Sequence, residues 1–238
     1  MLFLRSLLFA LCQTASTLVF APLSVLSGVL PFRFRYRFIT QWSYFNLWCA
    51  EKICGLCYTV EGREHIPVHP CVILCKHQSA WETYALPCIF PQMLSWVCKR
   101  ELLWIPFFGW GLAMMQPIAI DRKAGRRALE QLVEQGTARL NGGRSVVIFP
   151  EGTRIAPGRK GRYGIGGAML SERSGYPVLP IAHNAGEFWP KRGFIKHPGK
   201  IRVVIGPLIE SGGRAATEIN NLAEQWIEDK MREIDRRE

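Results

Sequence analysis

The stretch CVILCKHQSAWE, residues Cys71 to Glu82, joins an apolar run directly to a polar turn. The run from Cys71 to Cys75 is apolar throughout, as in a short strand that is covered on both faces. Polar residues follow at once, and Ser79 with Glu82 has the spacing of a capping box at a helix start. This stretch therefore predicts a strand that turns into a helix, the unit from which α/β folds are built.

The same alternation of strand and helix patterns continues from Tyr58 onward. Seven short runs rich in valine and isoleucine predict strands: Tyr58 to Glu61, Cys71 to Cys75, Trp96 to Lys99, Pro117 to Ile120, Ser145 to Phe149, Val178 to Ala182 and Ile201 to Ile205. Three runs with helical spacing predict helices: Ala124 to Leu140, Ile165 to Arg173 and Ala216 to Arg236. We therefore expect an α/β fold with a mixed central sheet covered by helices.

Composition indicates one folded core in contact with a membrane and with anionic partners. The 238 residues suffice for a single sizeable core. A hydrophobic content of 48% is high for a soluble protein. The net charge of +11 favours acidic lipid headgroups or phosphorylated substrates. The basic residues are dispersed and no nucleic-acid-binding motif occurs, so we expect no nucleic-acid partner.

The eight cysteines do not form a recognisable framework. Cys54 and Cys57 make a single C-x-x-C, and no second pair follows at zinc-site spacing. We expect reduced, mostly buried thiols and no metal site.

The N-terminal region, residues 1–57, is predicted to anchor the chain to a membrane, and residues 58–238 to form the α/β domain. Ser6 to Leu30 carries no charge and would span roughly 37 Å as a helix, enough to cross a bilayer core. Pro22 interrupts this run, so either a kinked span or a shallow two-part insertion fits it. Arg33, Arg35 and Arg37 follow, which places the rest of the chain in the cytoplasm by the positive-inside rule. A cleaved signal peptide is the alternative.

Leu102 to Ile120 is a second uncharged run of sufficient length to span a membrane. A single crossing there would put His77 and Glu151 on opposite sides of the membrane. Because Pro106, Gly109 and other breakers interrupt the run, we interpret it as a buried helix, turn and strand that could touch lipid.

His77 and Glu82 could form a catalytic pair. They would meet if His77 lies at the strand-to-helix turn and Glu82 in the first turn of the helix, so that the carboxylate orients the imidazole as a base. The alternative is that Glu82 only caps the helix together with Ser79. A serine hydrolase does not fit, since the G-x-S-x-G motif is absent. A metal site does not fit either, since this spacing does not present two ligands on one helical face.

A set of basic residues follows other strand runs. Glu151-Gly152-Thr153-Arg154 comes directly after an apolar strand, and a guanidinium there can form a paired contact with phosphate. Lys99 and Arg122 also follow strands, which suggests one electropositive pocket. A solvated surface turn is the alternative for Arg154. For His183, which follows another strand, a structural role is the favoured interpretation.

Together these motifs resemble the glycerolipid acyltransferase family, and within it the bacterial 1-acyl-sn-glycerol-3-phosphate acyltransferases. Five segments match the family pattern in order across roughly residues 60 to 210: His77 to Glu82, Lys99 to Leu102, Gly111 to Arg122, Pro150 to Arg154, and Val178 to Pro180. The departure is Glu82, where the family usually has aspartate.

The resemblance implies direct acyl transfer to the sn-2 hydroxyl of lysophosphatidic acid, giving phosphatidic acid. His77 would be the general base and Glu82 would hold it. The implied substrate-binding residues are Lys99, Arg122, Glu151, Gly152, Thr153 and Arg154. The donor would be acyl-CoA or acyl-carrier protein, with no cofactor. The implied location is the cytoplasmic face of a bacterial inner membrane.

Two other functions stay open at this point. Another lyso-lipid, such as lyso-ornithine lipid, could be the acceptor. Alternatively, the chain could be a non-catalytic lipid-binding membrane protein, with Glu82 as a sign of lost activity.

Overall fold

The computed structural model describes residues 1–121 and 124–235. Within these ranges, seven strands form one sheet in the spatial order β1-β7-β6-β2-β5-β3-β4. The strands are β1 (Leu56–Glu61), β2 (Val72–Cys75), β3 (Met93–Lys99), β4 (Ile118–Ile120), β5 (Arg144–Ile148), β6 (Val178–His183) and β7 (Gly199–Ile205). Each of them overlaps one of the seven predicted runs. Neighbouring strands run parallel except β6 and β7, so the prediction of a mixed sheet is confirmed.

The order of the strands brings the predicted site segments together. β2 lies between β5 and β6, and β3 pairs with the other edge of β5. These strands are all parallel, so the loops after them emerge at the same edge of the sheet. The loops after β2 and β5 carry His77 and Arg154, and Lys99 is the last residue of β3. Residues that are distant in sequence therefore meet at one edge.

Helices cover both faces of the sheet. They are α1 (Leu2–Leu26), α2 (Phe32–Cys54), α3 (Trp81–Ile89), α4 (Phe108–Met114), α5 (Arg126–Asn141), α6 (Gly166–Ser174), α7 (Ala185–Phe188) and α8 (Ala216–Asp235). Ile73 of β2 packs in the core cluster shared with α1, α2 and α3, whereas Val72 and Leu74 pack in the cluster shared with α5, α6 and α8. This alternation explains why the whole β2 run is apolar.

The N-terminal helices α1 and α2 form an antiparallel hairpin that packs on the α/β body. Leu2–Val29 is long and apolar enough to cross a membrane by length and composition. Near its start, Phe9 packs edge-on against Trp189, with ring centroids 5.2 Å apart. Near its end, Ser24 lies beside Gly111 of α4, so close that a Cβ added to this glycine would lie 3.6 Å from the serine Cβ. Both ends of α1 therefore contact the body. The division into 1–57 and 58–238 stays a prediction.

The segment between β3 and β4 differs from the expectation in its burial. It forms a 3-10 turn at Arg100–Trp104, then α4, then β4. Several of its large apolar side chains are exposed, Trp104 at 69% and Trp110 at 47%. The prediction that this run is buried is wrong for this part, because no other element among the described residues covers its outer side.

Candidate active site

His77 and Glu82 form a hydrogen-bonded pair at the edge of the sheet. β2 ends at Cys75 and α3 begins at Trp81, so the turn between them is short enough to bring the two side chains together. His77 Nδ1 lies 2.8 Å from Glu82 Oε1. With Nδ1 held by the carboxylate, Nε2 is the ring nitrogen left to accept a proton. The imidazole also stacks on the Phe149 ring, with centroids 3.9 Å apart, which fixes its plane.

Glu82 also holds the turn that precedes α3, with the same oxygen that holds His77. Its Oε1 accepts the backbone N–H groups of Gln78 at 3.0 Å and Ser79 at 2.9 Å. Dyad and helix cap were alternatives from the sequence; the structure shows the contact with His77, whereas Ala80 is the N-cap residue of α3 and no side chain caps it. The Ser79 hydroxyl does not act as a nucleophile here, since it donates to the Trp189 carbonyl oxygen at 2.6 Å.

The Glu82 carboxyl remains ionised although it is buried. Burial by itself would raise its pKa, but the neighbouring histidines His183 and His77, together with hydrogen bonds from His77 and the Ser79 N–H, outweigh burial and lower the pKa below its usual value. A carboxylate in this place stabilises the imidazolium that forms when His77 takes a proton.

His183 supports the site from behind and has the contacts of a structural histidine. Its Nε2 lies 2.8 Å from the Lys76 carbonyl oxygen, and its Nδ1 accepts the Ala185 N–H at 3.2 Å. Nε2 therefore carries the proton in this arrangement. Burial lowers the pKa of His183, which keeps the ring neutral.

The turn after β5 is attached to the backbone of His77. Gly152 has a φ of 65°. That left-handed conformation suits glycine, and its N–H donates to the Phe149 carbonyl oxygen at 2.9 Å. The Ile155 N–H donates to the His77 carbonyl oxygen at 2.8 Å. Through these contacts Thr153 and Arg154 are placed on the wall of the cavity that His77 also lines.

Glu151 differs from the other residues predicted to bind substrate. Its side chain is 0% exposed and forms an ion pair with Lys76, with Oε1 2.7 Å from Nζ. Its Oε2 accepts the backbone N–H of His77 at 2.8 Å. A direct contact between this carboxylate and a substrate does not fit that position, and its partners give it a supporting role.

Among the described residues, three cations line the cavity beside His77: Lys99, Arg154 and Lys191. The first two match the predicted electropositive pocket, and Arg122 lies outside the described residues. Lys191 was missed by sequence reasoning. Its Nζ donates to Thr153 Oγ1 at 3.1 Å and to the Arg154 carbonyl oxygen at 3.0 Å. The available signal was the stretch from Phe188 to Ile209, which contains no acidic residue.

The cavity has a volume of about 660 Å³ and lies between the hairpin and the sheet. Its apolar walls come from α1, α2 and α4, with Phe20, Trp42 and Leu112 among the lining residues. His77 and the cations are the polar groups of this cavity. The cavity therefore suits a ligand whose apolar chain lies along the walls and whose anionic head lies near these groups. The N-terminal hairpin is therefore one wall of the candidate site as well as a predicted membrane anchor.

Comparison with known proteins gives consistent matches. A family model described as acyltransferase matches residues 57–184. A 1-acyl-sn-glycerol-3-phosphate acyltransferase of Pseudomonas aeruginosa is 51% identical over 236 residues, covering 97% of this chain and 91% of that protein. A chloroplastic protein of the same name from Brassica napus is 30% identical, covering 85% of this chain and 60% of that protein.

A solved structure shows the same fold. The crystal structure of the 1-acyl-sn-glycerophosphate acyltransferase PlsC from Thermotoga maritima superposes with a TM-score of 0.82 at 21% identity. The match covers 100% of this chain and 97% of that one.

Proposed function

This chain belongs to the acyltransferase family, and we propose that it transfers a fatty acyl group to the sn-2 hydroxyl of lysophosphatidic acid. The product is phosphatidic acid, so the protein is a 1-acylglycerol-3-phosphate O-acyltransferase of phospholipid biosynthesis. The observation that carries this function is the His77–Glu82 pair at an apolar cavity that also presents Lys99, Arg154 and Lys191.

The acyl group passes directly from donor to acceptor, with His77 as the base. Nε2 takes the proton of the sn-2 hydroxyl as its oxygen attacks the carbonyl carbon of the thioester. The new C–O bond gives a tetrahedral intermediate, and Glu82 stabilises the imidazolium through Nδ1. The C–S bond then breaks, and the leaving thiolate takes the proton from His77. The products are an ester and a free thiol, and His77 returns to its neutral form.

Arg154, Lys99 and Lys191 are proposed to bind the phosphate of the acceptor. A phosphate held there places the hydroxyl near the base, which lowers the entropic part of the barrier. Gly152 and Thr153 serve this arrangement by setting the turn that carries Arg154.

We expect Arg154→Ala to raise KM for lysophosphatidic acid on the order of tenfold to a hundredfold, because it removes charged hydrogen bonds to phosphate. Arg154→Lys keeps the charge but not the paired geometry, so its effect is smaller. The measurement is steady-state kinetics with lysophosphatidic acid and with a monoacylglycerol, which has no phosphate. If Arg154→Ala raised KM by the same factor for both acceptors, a phosphate-binding role would be contradicted and another lyso-lipid would be favoured as the acceptor.

The donor is proposed to be acyl-CoA or acyl-carrier protein. Both carry negative charge, and three exposed arginines lie close in sequence to Arg154 or Lys191: Arg159, Arg162 and Arg192. Wild-type protein is assayed with oleoyl-CoA and with oleoyl-carrier protein as donors to radiolabelled lysophosphatidic acid. Formation of phosphatidic acid with either donor supports the function. No product with both donors, from folded protein, would refute it and leave the two alternatives, acylation of another lyso-lipid and lipid binding without catalysis.

The proposed reaction uses no resident metal ion or cofactor, since the imidazole base and the thioester supply its chemistry. Full activity after treatment with EDTA is the expected result.

We propose that the protein lies on the cytoplasmic face of a bacterial inner membrane, embedded by its hairpin without crossing. The exposed leucines of α1 and the exposed Trp48, Trp104 and Trp110 give a surface suited to the lipid interface. Contacts at both ends of α1 with the body favour shallow insertion over a span. The arginines at the start of α2 suit an anionic cytoplasmic leaflet.

Replacing Trp104 and Trp110 together by serine is expected to weaken binding to anionic phospholipid vesicles on the order of tenfold, since two apolar groups lose their lipid contact. Vesicle flotation measures this. The control is Val68→Ser, which removes an apolar side chain that is 90% exposed elsewhere. Unchanged flotation of the double variant would contradict an interface at α4.

A further inference from the structure

A second group of charged residues lies directly behind His77, and the mechanism above does not use it. Lys76, the residue between β2 and His77, is only 1% exposed. Its ammonium group contacts two carboxylates, Glu151 Oε1 at 2.7 Å and Glu228 Oε1 at 2.8 Å. Taking an ammonium group and carboxylates out of water is costly, so such a cluster persists only when its members are closely paired.

The cluster is joined to the catalytic base through the backbone. Glu151 uses Oε1 for Lys76 and Oε2 for the N–H of His77, at 2.8 Å. The ammonium group therefore fixes the carboxylate that fixes the His77 main chain. This contact is separate from the Glu82 contact, which acts on the imidazole ring.

The C-terminal helix completes the cluster from the other side. Glu228 of α8 also accepts the hydroxyl of Tyr163 at 2.8 Å. Burial, followed by the nearby carboxylates Glu151 and Glu228, raises the pKa of Tyr163, so the hydroxyl stays protonated and donates. Next to Tyr163, the Gly164 N–H donates to the Pro150 carbonyl oxygen at 2.8 Å. Through Tyr163, α8 is thus linked to the segment that carries Arg154.

We propose that Lys76, Glu151 and Glu228 are positioning residues that hold His77 at the geometry required for proton transfer. This inference rests on the proposed function of the same site. Lys76 bridges the two carboxylates, Glu228 anchors Lys76 to α8, and Glu151 transmits this restraint to the His77 backbone. The proposal differs from a plain folding role, because it requires kcat to depend on the cluster in proteins that remain folded.

Glu151→Gln is the sharpest single test. The amide has nearly the same shape, but it presents one oxygen and one NH2 group where the carboxylate presents two acceptors. One amide end must face the Lys76 ammonium group and the other the His77 N–H, and both of these are donors. Either orientation loses one contact. We expect kcat to fall about tenfold to a hundredfold, as for a misplacement of about 1 Å, while KM for lysophosphatidic acid stays nearly constant.

A second variant tests whether Lys76 and Glu151 act together. In Lys76→Met/Glu151→Gln no ammonium group competes for the amide oxygen, which can then accept the His77 N–H. The single variants Lys76→Met and Glu151→Gln are measured beside it, and each kcat is expressed as a fraction of the wild-type kcat. The fraction for the double variant is expected to be roughly threefold or more above the product of the two single fractions, since the effects of coupled residues are not additive. A fraction for the double variant equal to that product would show that the two residues act independently and would overturn the proposal.

Glu228→Gln covers the case in which the buried variants do not fold, because its side chain is 14% exposed and tolerates change more readily. The matched control is Glu224→Gln on the same helix, which weakens the pair between Glu224 and Lys160. We expect a lower kcat for Glu228→Gln alone, with thermal melting showing both proteins folded. Equal kcat for these two variants and the wild type would overturn the role of Glu228.

The outcomes also separate this inference from the function it rests on. A wild-type protein that makes no phosphatidic acid refutes the proposed function. An active wild type with an unchanged kcat in folded Glu151→Gln refutes the positioning role alone. A raised KM with constant kcat would also overturn that role, and would indicate instead that the cluster supports substrate binding through the turn that carries Arg154.

Discussion

His77→Ala is expected to lower the rate of phosphatidic acid formation by about a thousandfold or more, with the fold intact. The imidazole is the general base, and proton transfer by a positioned side chain contributes about 10²- to 10⁴-fold. The side chain faces the cavity and is partly exposed, so its loss leaves the sheet and its core unchanged. The measurement is transfer of radiolabelled oleoyl to lysophosphatidic acid in detergent.

The matched control for that variant is His69→Ala, which removes an exposed histidine from a loop before β2. It is expected to behave as the wild type. Substantial transfer by His77→Ala, beyond about a tenth of the wild-type rate, would show that another group removes the proton and would refute the dyad.

Glu82→Ala is expected to lower kcat about a hundredfold to a thousandfold and to destabilise the turn before α3. Without the carboxylate, His77 Nδ1 loses the partner that selects its tautomer, and the imidazolium loses its counter-charge. The buried N–H groups of Gln78 and Ser79 also lose their acceptor, and leaving a buried donor unpaired costs about 1–3 kcal/mol. Steady-state kinetics and thermal melting of the same preparation measure the two effects.

Two conservative variants separate the effect of the Glu82 charge from the effect of its side-chain length. In Glu82→Gln the amide oxygen can replace Oε1 and keep all three hydrogen bonds, so the loss reports mainly the missing charge. In Glu82→Asp the charge stays, but the side chain is shorter by one C–C bond of about 1.5 Å. Because α3 holds the backbone in place, the carboxylate lies farther from His77 Nδ1. We expect both to be slower than the wild type and faster than Glu82→Ala. A fully active Glu82→Ala would contradict the role of the carboxylate.

The core pattern of this chain was readable without the structure. All seven predicted strand runs overlap strands of the sheet, because residues buried on both faces must be apolar throughout, as in β2. The apolar content of α1 was equally clear from the sequence, but the position of this helix relative to the α/β body was not. Composition permits either a span or a shallow insertion, and the contacts of Phe9 and Ser24 with the body, on which the proposal of a shallow insertion rests, come from the tertiary structure.

The exposure of the segment around α4 could not be predicted from its apolar composition either. An uncharged run is expected both in a core and at a lipid surface, so hydrophobicity alone does not distinguish the two. Trp104 and Trp110 are exposed because of where the neighbouring elements lie. That placement depends on contacts between residues far apart in the chain.

Local periodicity predicted where the strands lie along the chain, and the short motifs offered the pairing of His77 with Glu82 and a phosphate-binding turn after β5 as hypotheses that the family resemblance favoured. In each of these the residues that matter are near neighbours in sequence. The structure was needed to show that one oxygen of Glu82 holds both His77 and the turn before α3, that Lys191 contacts Arg154, and that Glu228 contacts Lys76. The physical reason is that hydrogen bonds and ion pairs act over about 3 Å, and only the tertiary fold brings such distant residues within that range.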